Sequence, residues 1–493
     1  MAFVNGPLPT RLKLIHGSGA VAFGVKDSGF SFFLLPYYNL VLGVEALTVG
    51  LALATALIVD AFIDPLLGNL SDRTYTRWGR RLPWLYLAPM PLALMWILLW
   101  SPPFTGTPGF GEIVALAVGV RVLLSACEVP SVSLVPEITD DYVERTTLFR
   151  FRFLSAWLGG LLMMVMAFYV FLPTPADQLQ PDGYRAYGIF GASVIVLSVI
   201  GSALGQHRLI ARRPDKPPPP FSLGTAFGEI LDAFRERAFI VFAIGALAAY
   251  VGQGMTFSIT QYLNLYVWQF NDTAFQVYPA VLALSVVIMF VIVGPLHHRH
   301  GKPKSAGVAA LVSMVFVSVP YALFLAGLFP TPGTTVAIVL VLASLLVANT
   351  AAVVSMISAT SMVAEIIEAH EDRTGRRADA TFYSGNWLVQ KCATGVGILA
   401  SSLIVQSLGI EAGTAQADVA DGVVTQLAAI YLGVVVVFTL IAAYWLARFP
   451  ISREEHEARI AARAAAGAGS GAIDADPIAT AAAASPDGQP STP

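Results

Sequence analysis

Asp60 and Asp64 stand four residues apart in an otherwise apolar run, and Arg73, Arg77, Arg80 and Arg81 follow at once, in the stretch DAFIDPLLGNLSDRTYTRWGRRLPW. Residues four apart on a helix share a face. Two carboxylates that close, away from water, repel, so either one keeps its proton or a cation sits between them. Hard cations take oxygen ligands. One Na+, Li+ or H+ could therefore bridge the pair, with Ser125 or Glu128 reaching over from a neighbouring helix; Asp60 and Asp64 are the candidate metal ligands if the ion is Na+. The competing reading is structural, an interhelical salt bridge such as Asp64 with a nearby arginine.

More charges lie in apolar surroundings. Arg121, Ser125 and Glu128 follow i, i+4, i+7 spacing and form one polar stripe. That stripe lines a transport cavity, or else Arg121 bridges structurally to Glu128 or Asp60. Lys26 and Asp27 are adjacent and so point to different sides of their helix. Lys391 has Asn386 and Gln390 near it, and Arg152 lies about a turn inside a further helix, whereas Arg150 snorkels towards the surface. An ionised group near a bilayer centre costs at least about 2.5–3.5 kcal/mol on insertion scales. The census of Lys26, Asp27, Asp60, Asp64, Arg121, Glu128, Arg152 and Lys391 holds four of each sign. Lys26, Asp27, Glu128, Arg121, Arg152 and Lys391 are the candidate substrate contacts. Tyr37, Tyr38, Trp157, Tyr250, Tyr262, Trp268, Tyr383 and Trp387 could stack on a sugar ring, although belts and packing account for most aromatics in such chains.

The elements that must position these groups are membrane helices. The 493 residues are 56% hydrophobic and only 12% charged, with a mean hydropathy of +0.68. Soluble domains carry about 25% charged residues, so the class is integral membrane. A net charge of −3 offers nothing to nucleic acid. Cys127 and Cys392 lie in apolar segments and read as small buried hydrophobes, with no metal-spaced pair. The first apolar run carries Lys26 and Asp27 and no clear cleavage site, so no cleavable signal is expected.

A span needs about 20 mostly apolar residues. Twelve are predicted, near 14–40, 45–70, 82–101, 110–136, 147–173, 186–208, 238–268, 274–297, 304–328, 334–363, 380–409 and 423–447. Lys and Arg concentrate before the first span and in every second connection; Arg185 is the exception among the alternate ones. By the positive-inside rule both termini face the cytoplasm of a cell (inner) membrane. The connection 209–237, with its RRPDKPPPP run, divides the spans six and six. The expected organisation is an N-terminal bundle (1–208), a cytoplasmic linker (209–237), a C-terminal bundle (238–449) and a disordered tail (450–493). Six plus six helices fit the major facilitator architecture, whose site lies at midplane between two bundles.

Across nearly all of 10–450 the chain resembles the glycoside–pentoside–hexuronide:cation symporters, the melibiose-permease-like branch of that superfamily. DAFIDPLLGNLSDRTYTRWGRRLPW looks like the family's D-A-x-x-D-P-x-x-G … R-W-G-[KR]-x-x-P-W signature. GVKDSGF, EVPSVSLVPEIT and SMVAEIIEAHEDRTGRRADATFYSGNWLVQKCATGVG match in order. The resemblance implies that Asp60, Asp64 and Glu128 bind the cation with Ser125 as a hydroxyl ligand. It also implies that Lys26, Asp27, Glu128, Arg152 (with a one-residue gap) and Lys391 lie at the sugar. Three departures stand out: the helix 4 acid is Glu128 rather than Asp, Val132 replaces a sugar-stacking aromatic, and Arg121 is an additional charge.

The expectation is cation-coupled symport of a sugar or glycoside by alternating access, with no cofactor and a monomer as the family default. Asp72 with Arg73, Arg77, Arg80 and Arg81 would form a cytoplasmic charge latch, or would serve topology alone. A cation-coupled carrier of lysophospholipids or other amphiphiles is the alternative. An enzyme is not expected: no nucleophile elbow, phosphate loop or His/Asp cluster is present, and His297, His298 and His300 lie in a basic loop.

Overall fold

Apolar runs of this length have one way to satisfy their backbone in a bilayer, since each N–H must find a carbonyl inside its own segment. The computed structural model describes residues 6–139, 141–212, 228, 231–375, 378–410, 413–414 and 419–450. Among them the backbone is helical apart from turns and one isolated bridge, Thr76 to Gly79. Twelve helical segments follow in order: α1 (10–41), α2 (Ala46–Arg73), α3 (82–100), α4 (Phe110–Ile138), α5 (Glu144–Phe171), α6 (Pro181–Ile210), α7 (Arg237–Val267), α8 (Asp272–His297), α9 (Lys302–Leu325), α10 (Thr335–Thr374), α11 (Thr381–Ser407) and α12 (Asp421–Ala447). All except α1 and α3 are long and apolar enough to cross a membrane. Side chains such as Leu87, Leu197, Val291 and Leu328 stand largely exposed on the outer faces. Lipid accommodates them; water would not. The protein is a multi-pass membrane protein.

The twelve spans expected from hydropathy are present, with three differences in kind. The third breaks at Ala88, before Pro89, because proline lacks an N–H and restricts the residue ahead of it. The first loosens into π-helical turns at Gly29–Phe33 and Tyr37–Val41. The tenth runs past its apolar stretch to Thr374, through Glu365, Glu368 and Glu371, because a helix can leave the bilayer without ending. Most of the linker expected at 209–237, and all but the first residue of the tail expected at 450–493, lie outside the described residues.

The packing repeats. In the first six segments α1 lies so close to α5 that a Cβ at Gly24 would collide with the carbonyl of Ala156, and Gly159 meets Val21. In the last six α7 meets α11 the same way, Gly254 on Thr394 and Gly397 on the Val251 carbonyl. Small residues let membrane helices approach at backbone distance, which Gly159-Gly160 and Gly395-Val396-Gly397 signal in the sequence. The ends of α1 and α7 also correspond. Each finishes in a π turn closed by a bond over six residues, Val44 N to Tyr38 O and Phe270 N to Asn264 O, both at 2.9 Å.

At the end of the molecule away from the basic loops the two sets of six meet through polar and aromatic side chains. Tyr262 Oη donates to Asn39 Oδ1 at 2.9 Å, Gln261 donates to Gln178, and Phe168 stacks on Phe275 with centroids 5.2 Å apart. Beneath them Tyr37, Tyr38, Trp100, Tyr184 and Tyr187 are buried against one another.

Candidate cation and substrate site

Helix α2 crosses the bilayer with Asp60 near its middle, since the helix rises about 1.5 Å per residue and Asp60 is half-way along Ala46–Arg73. Two helices supply its partners. From α4, Arg121 Nη1 donates to Asp60 Oδ2 at 3.0 Å and Ser125 Oγ donates to Oδ1 at 3.0 Å. From α11, Lys391 Nζ lies 3.0 Å from Asp60 Oδ2 and donates to Asp64 Oδ2 at 2.5 Å. Asp64 Oδ1 is buried without a hydrogen-bond partner. The i, i+4 spacing puts both acids on one face of α2, and Lys391 of α11 reaches both.

Two further pairs flank this cluster. Arg152 on α5 donates through Nη2 to Glu128 at 2.6 Å and through Nη1 to Ser131 at 2.6 Å. Lys26 Nζ lies 3.6 Å from Asp27 Oδ1 and 4.2 Å from the Phe23 ring centroid. Adjacent positions on a helix point apart, but the lysine stem is long enough to bring its ammonium back to its neighbour. Every member of the eight-charge census is therefore in an ion pair. In two of the pairs the carboxylate is the more exposed partner: Asp27 is 59% exposed against 9% for Lys26, and Glu128 26% against 4% for Arg152. In the central cluster Asp60 and Arg121 are both 7% exposed, while Lys391 and Asp64 are 21% and 27% exposed. Asp27 and Glu128 thus face the open side with their basic partners behind them, an arrangement that can receive hydroxyl donors.

The structure gathers Asp60, Asp64, Ser125, Arg121 and Lys391 into one cluster and sets Glu128 with Arg152 and Ser131 beside it. Of the basic loop, Arg81 pairs with Asp72 at 2.9 Å and with Glu137 at 3.1 Å. Arg73 Nε donates to Asn69 at 3.0 Å, Arg77 lies 5.2 Å from the Trp78 ring centroid, and Arg80 is half-buried. Lys302 with Glu365, at 3.1 Å, is an equivalent pair near the same end of the last six helices. Tyr37, Tyr38, Tyr262 and Trp268 are buried in the packing of the far end, and Trp387 is exposed. Tyr250 donates to Asn386 at 3.4 Å, near Lys391.

Sequence reasoning overlooks Asn39, Gln178 and Gln261, the polar groups that join the two sets of helices at the far end.

Residues 15–453 match the model of the family described as MFS/sugar transport protein, MFS being the major facilitator superfamily. The chain belongs to that family. Within this MFS/sugar transport family, it is 33% identical to the "Uncharacterized symporter sll1374" of Synechocystis sp. (strain ATCC 27184 / PCC 6803 / Kazusa), over 42% of this chain and 38% of that protein. It is 32% identical to the "Isoprimeverose transporter" of Lactiplantibacillus pentosus, over 38% of this chain and 39% of that one. These two alignments thus span under half of either relative's length. The crystal structure of the nucleoside transporter NupG superposes with a TM-score of 0.61 at 14% identity, over 90% of this chain and 99% of that one. The shared fold is that of a major facilitator transporter; the family and its structural neighbours are transporters rather than enzymes.

Proposed function

We propose that the chain is a secondary transporter that couples a cation, Na+, Li+ or H+, to the uptake of a sugar or glycoside by alternating access. The observation that carries this reading is the position of Lys391. It sits on α11, at mid-helix, and holds Asp60 and Asp64 of α2 across the boundary between the two sets of six helices. A cation arriving at Asp64 takes the charge that holds Lys391 there, so ion occupancy changes how the halves are joined. Coupling of this kind is reciprocal: substrate tightens the cation by the same factor as cation tightens substrate, typically 1–3 kcal/mol.

A sugar is supported by the family description, by the name of the isoprimeverose-carrying relative, and by the outward carboxylates of Asp27 and Glu128, which suit hydroxyl donors. Lys26 orients Asp27 and Arg152 orients Glu128, while Lys391 holds Asp60 and Asp64 beside them. The charge ladder supports an inner-membrane carrier with both termini in the cytoplasm. The basic loops then lie inside, the far end is closed to the outside, and the conformation is inward-facing. Asp72, Arg73, Arg77, Arg80 and Arg81 belong to the inner gate. The division is an N-terminal bundle to 208, a connection over 209–237 and a C-terminal bundle to 449; the protein works as a monomer in the bilayer.

Uptake of labelled glycosides into proteoliposomes under imposed Na+, Li+ or H+ gradients tests the proposal. Wild type should accumulate a glycoside above its external concentration under one of them, and Asp64→Ala should only equilibrate it. Undiminished accumulation by Asp64→Ala would remove Asp64 from the coupling site.

A further inference from the structure

The two acids of α2 are not equally open to a mobile ion. Asp60 has both oxygens filled by side chains of this chain: Ser125 Oγ on Oδ1 at 3.0 Å, and Arg121 Nη1 on Oδ2 at 3.0 Å with Lys391 Nζ at the same distance. Arg121 is itself fixed on two sides. Its guanidinium lies over the Phe30 ring with 4.7 Å to the centroid, and its side chain is 7% exposed. A planar guanidinium held between a carboxylate and a ring face is pre-organised, unlike a flexible ammonium. Lys391 is more exposed and divides itself between Asp60 and Asp64. Asp64 keeps one unpartnered oxygen, Oδ1.

We propose that Arg121 is a tethered cation that takes the position on Asp60 that Na+ or Li+ would need, so that this residue selects against alkali-metal coupling through the α2 acid pair. The proposal deepens the symport reading and rests on it. Hard metal ions require a cage of several oxygens. Here one carboxylate is committed to Arg121 and Ser125, and the other offers a single open oxygen. The charge balance argues the same way: Asp60 and Asp64 are already matched by Arg121 and Lys391. The pairs Lys26–Asp27 on α1 and Glu128–Arg152 between α4 and α5 are each balanced beside them. An added Na+ would leave an excess positive charge in a poorly solvated place, close to a guanidinium that has nowhere to go. Removing the guanidinium uncovers an acid pair, a serine hydroxyl and the Asp60 main-chain carbonyl, which faces Lys391 Nζ at 3.5 Å. Those are oxygen ligands of the kind alkali ions favour.

The test is binding of Na+ alone to the purified full-length protein, read as a Na+-dependent shift in melting temperature against choline chloride, with Li+ as competitor. Wild type should show no saturable response. Arg121→Met should gain one, competed by Li+, with a half-saturation at least about tenfold below any wild-type response. Arg121→Lys should stay unresponsive. If Arg121→Met does not fold, Arg121→Gln keeps polarity without charge and should gain the same response. Saturable, Li+-competed Na+ binding by wild type overturns the proposal, as does a folded, uncharged variant that remains indifferent to Na+. Either result leaves the symport reading intact, because that reading fails only on gradient-driven uptake.

Discussion

Where Tyr262 meets Asn39 the two halves are joined by a neutral hydrogen bond inside aromatic packing; where Lys391 meets Asp60 and Asp64 they are joined by charge. The first seam answers only to geometry. Its partners carry no net charge, so no ion can compete for them, and each bond contributes about 0.5–1.5 kcal/mol. The second seam answers to ions, because anything positive that reaches Asp64 competes with Lys391. Breaking such a buried pair by removing one partner costs about 3–5 kcal/mol, since the other charge is stranded. A carrier needs both kinds: a closure that ions cannot loosen directly, and a bridge that they can. Near the basic loops the ion pairs Arg81–Asp72, Arg81–Glu137, Lys13–Glu144 and Lys302–Glu365 are each formed within one half.

The sharpest way to break this contrast is Lys391→Ala. It should lower stability by about 3–5 kcal/mol in a thermal melt in detergent and abolish uphill accumulation. Adding Asp64→Asn should restore part of the stability, with a coupling of about 0.5–3 kcal/mol in a double-mutant cycle. Strict additivity would mean that the two side chains do not interact. Next in size is Gly24→Leu, which overpacks the α1–α5 contact inside one half and should cost about 1–3 kcal/mol, read from the same melt. An unchanged melting temperature would show that α1 and α5 are not packed at backbone distance.

Tyr262→Phe removes one neutral seam bond and should cost about 1 kcal/mol. That is a factor of about five in the balance between closed and open far ends, visible as faster reaction of a far-end cysteine with a membrane-impermeant thiol reagent. No change in that rate would take the Tyr262–Asn39 bond out of the closure. Arg81→Gln should move stability least, by about 1 kcal/mol or less, because its partners are partly solvated. A loss as large as that of Lys391→Ala would make Arg81 a structural bridge rather than the proposed latch.

Much of this architecture is legible in the sequence, and the reasons are local. Near-continuous apolar runs mark the spans, and the concentration of Lys and Arg in alternate connections agrees with their count. The spacing of Asp60 and Asp64, and of Arg121, Ser125 and Glu128, fixes which residues share a face. What spacing leaves open is the partner across space. Lys391 and Asp64 are 327 residues apart in the chain, and nothing local pairs them. Arg121 reads equally well as a bridge to Glu128 or to Asp60, and only packing of α4 on α2 selects Asp60. The π turns at Tyr37–Val41 and Leu263–Val267 are hidden for a similar reason. Sequence patterns report a helix, while the extra residue in the turn is set by the aromatic and inter-half contacts it serves.

The account stands most directly on gradient-driven uptake by wild-type protein reconstituted in proteoliposomes with a labelled glycoside. It expects accumulation above the external concentration under at least one imposed cation gradient, abolished when that gradient is collapsed by an ionophore. Equilibration to the external concentration and no further, under every gradient imposed, would contradict it.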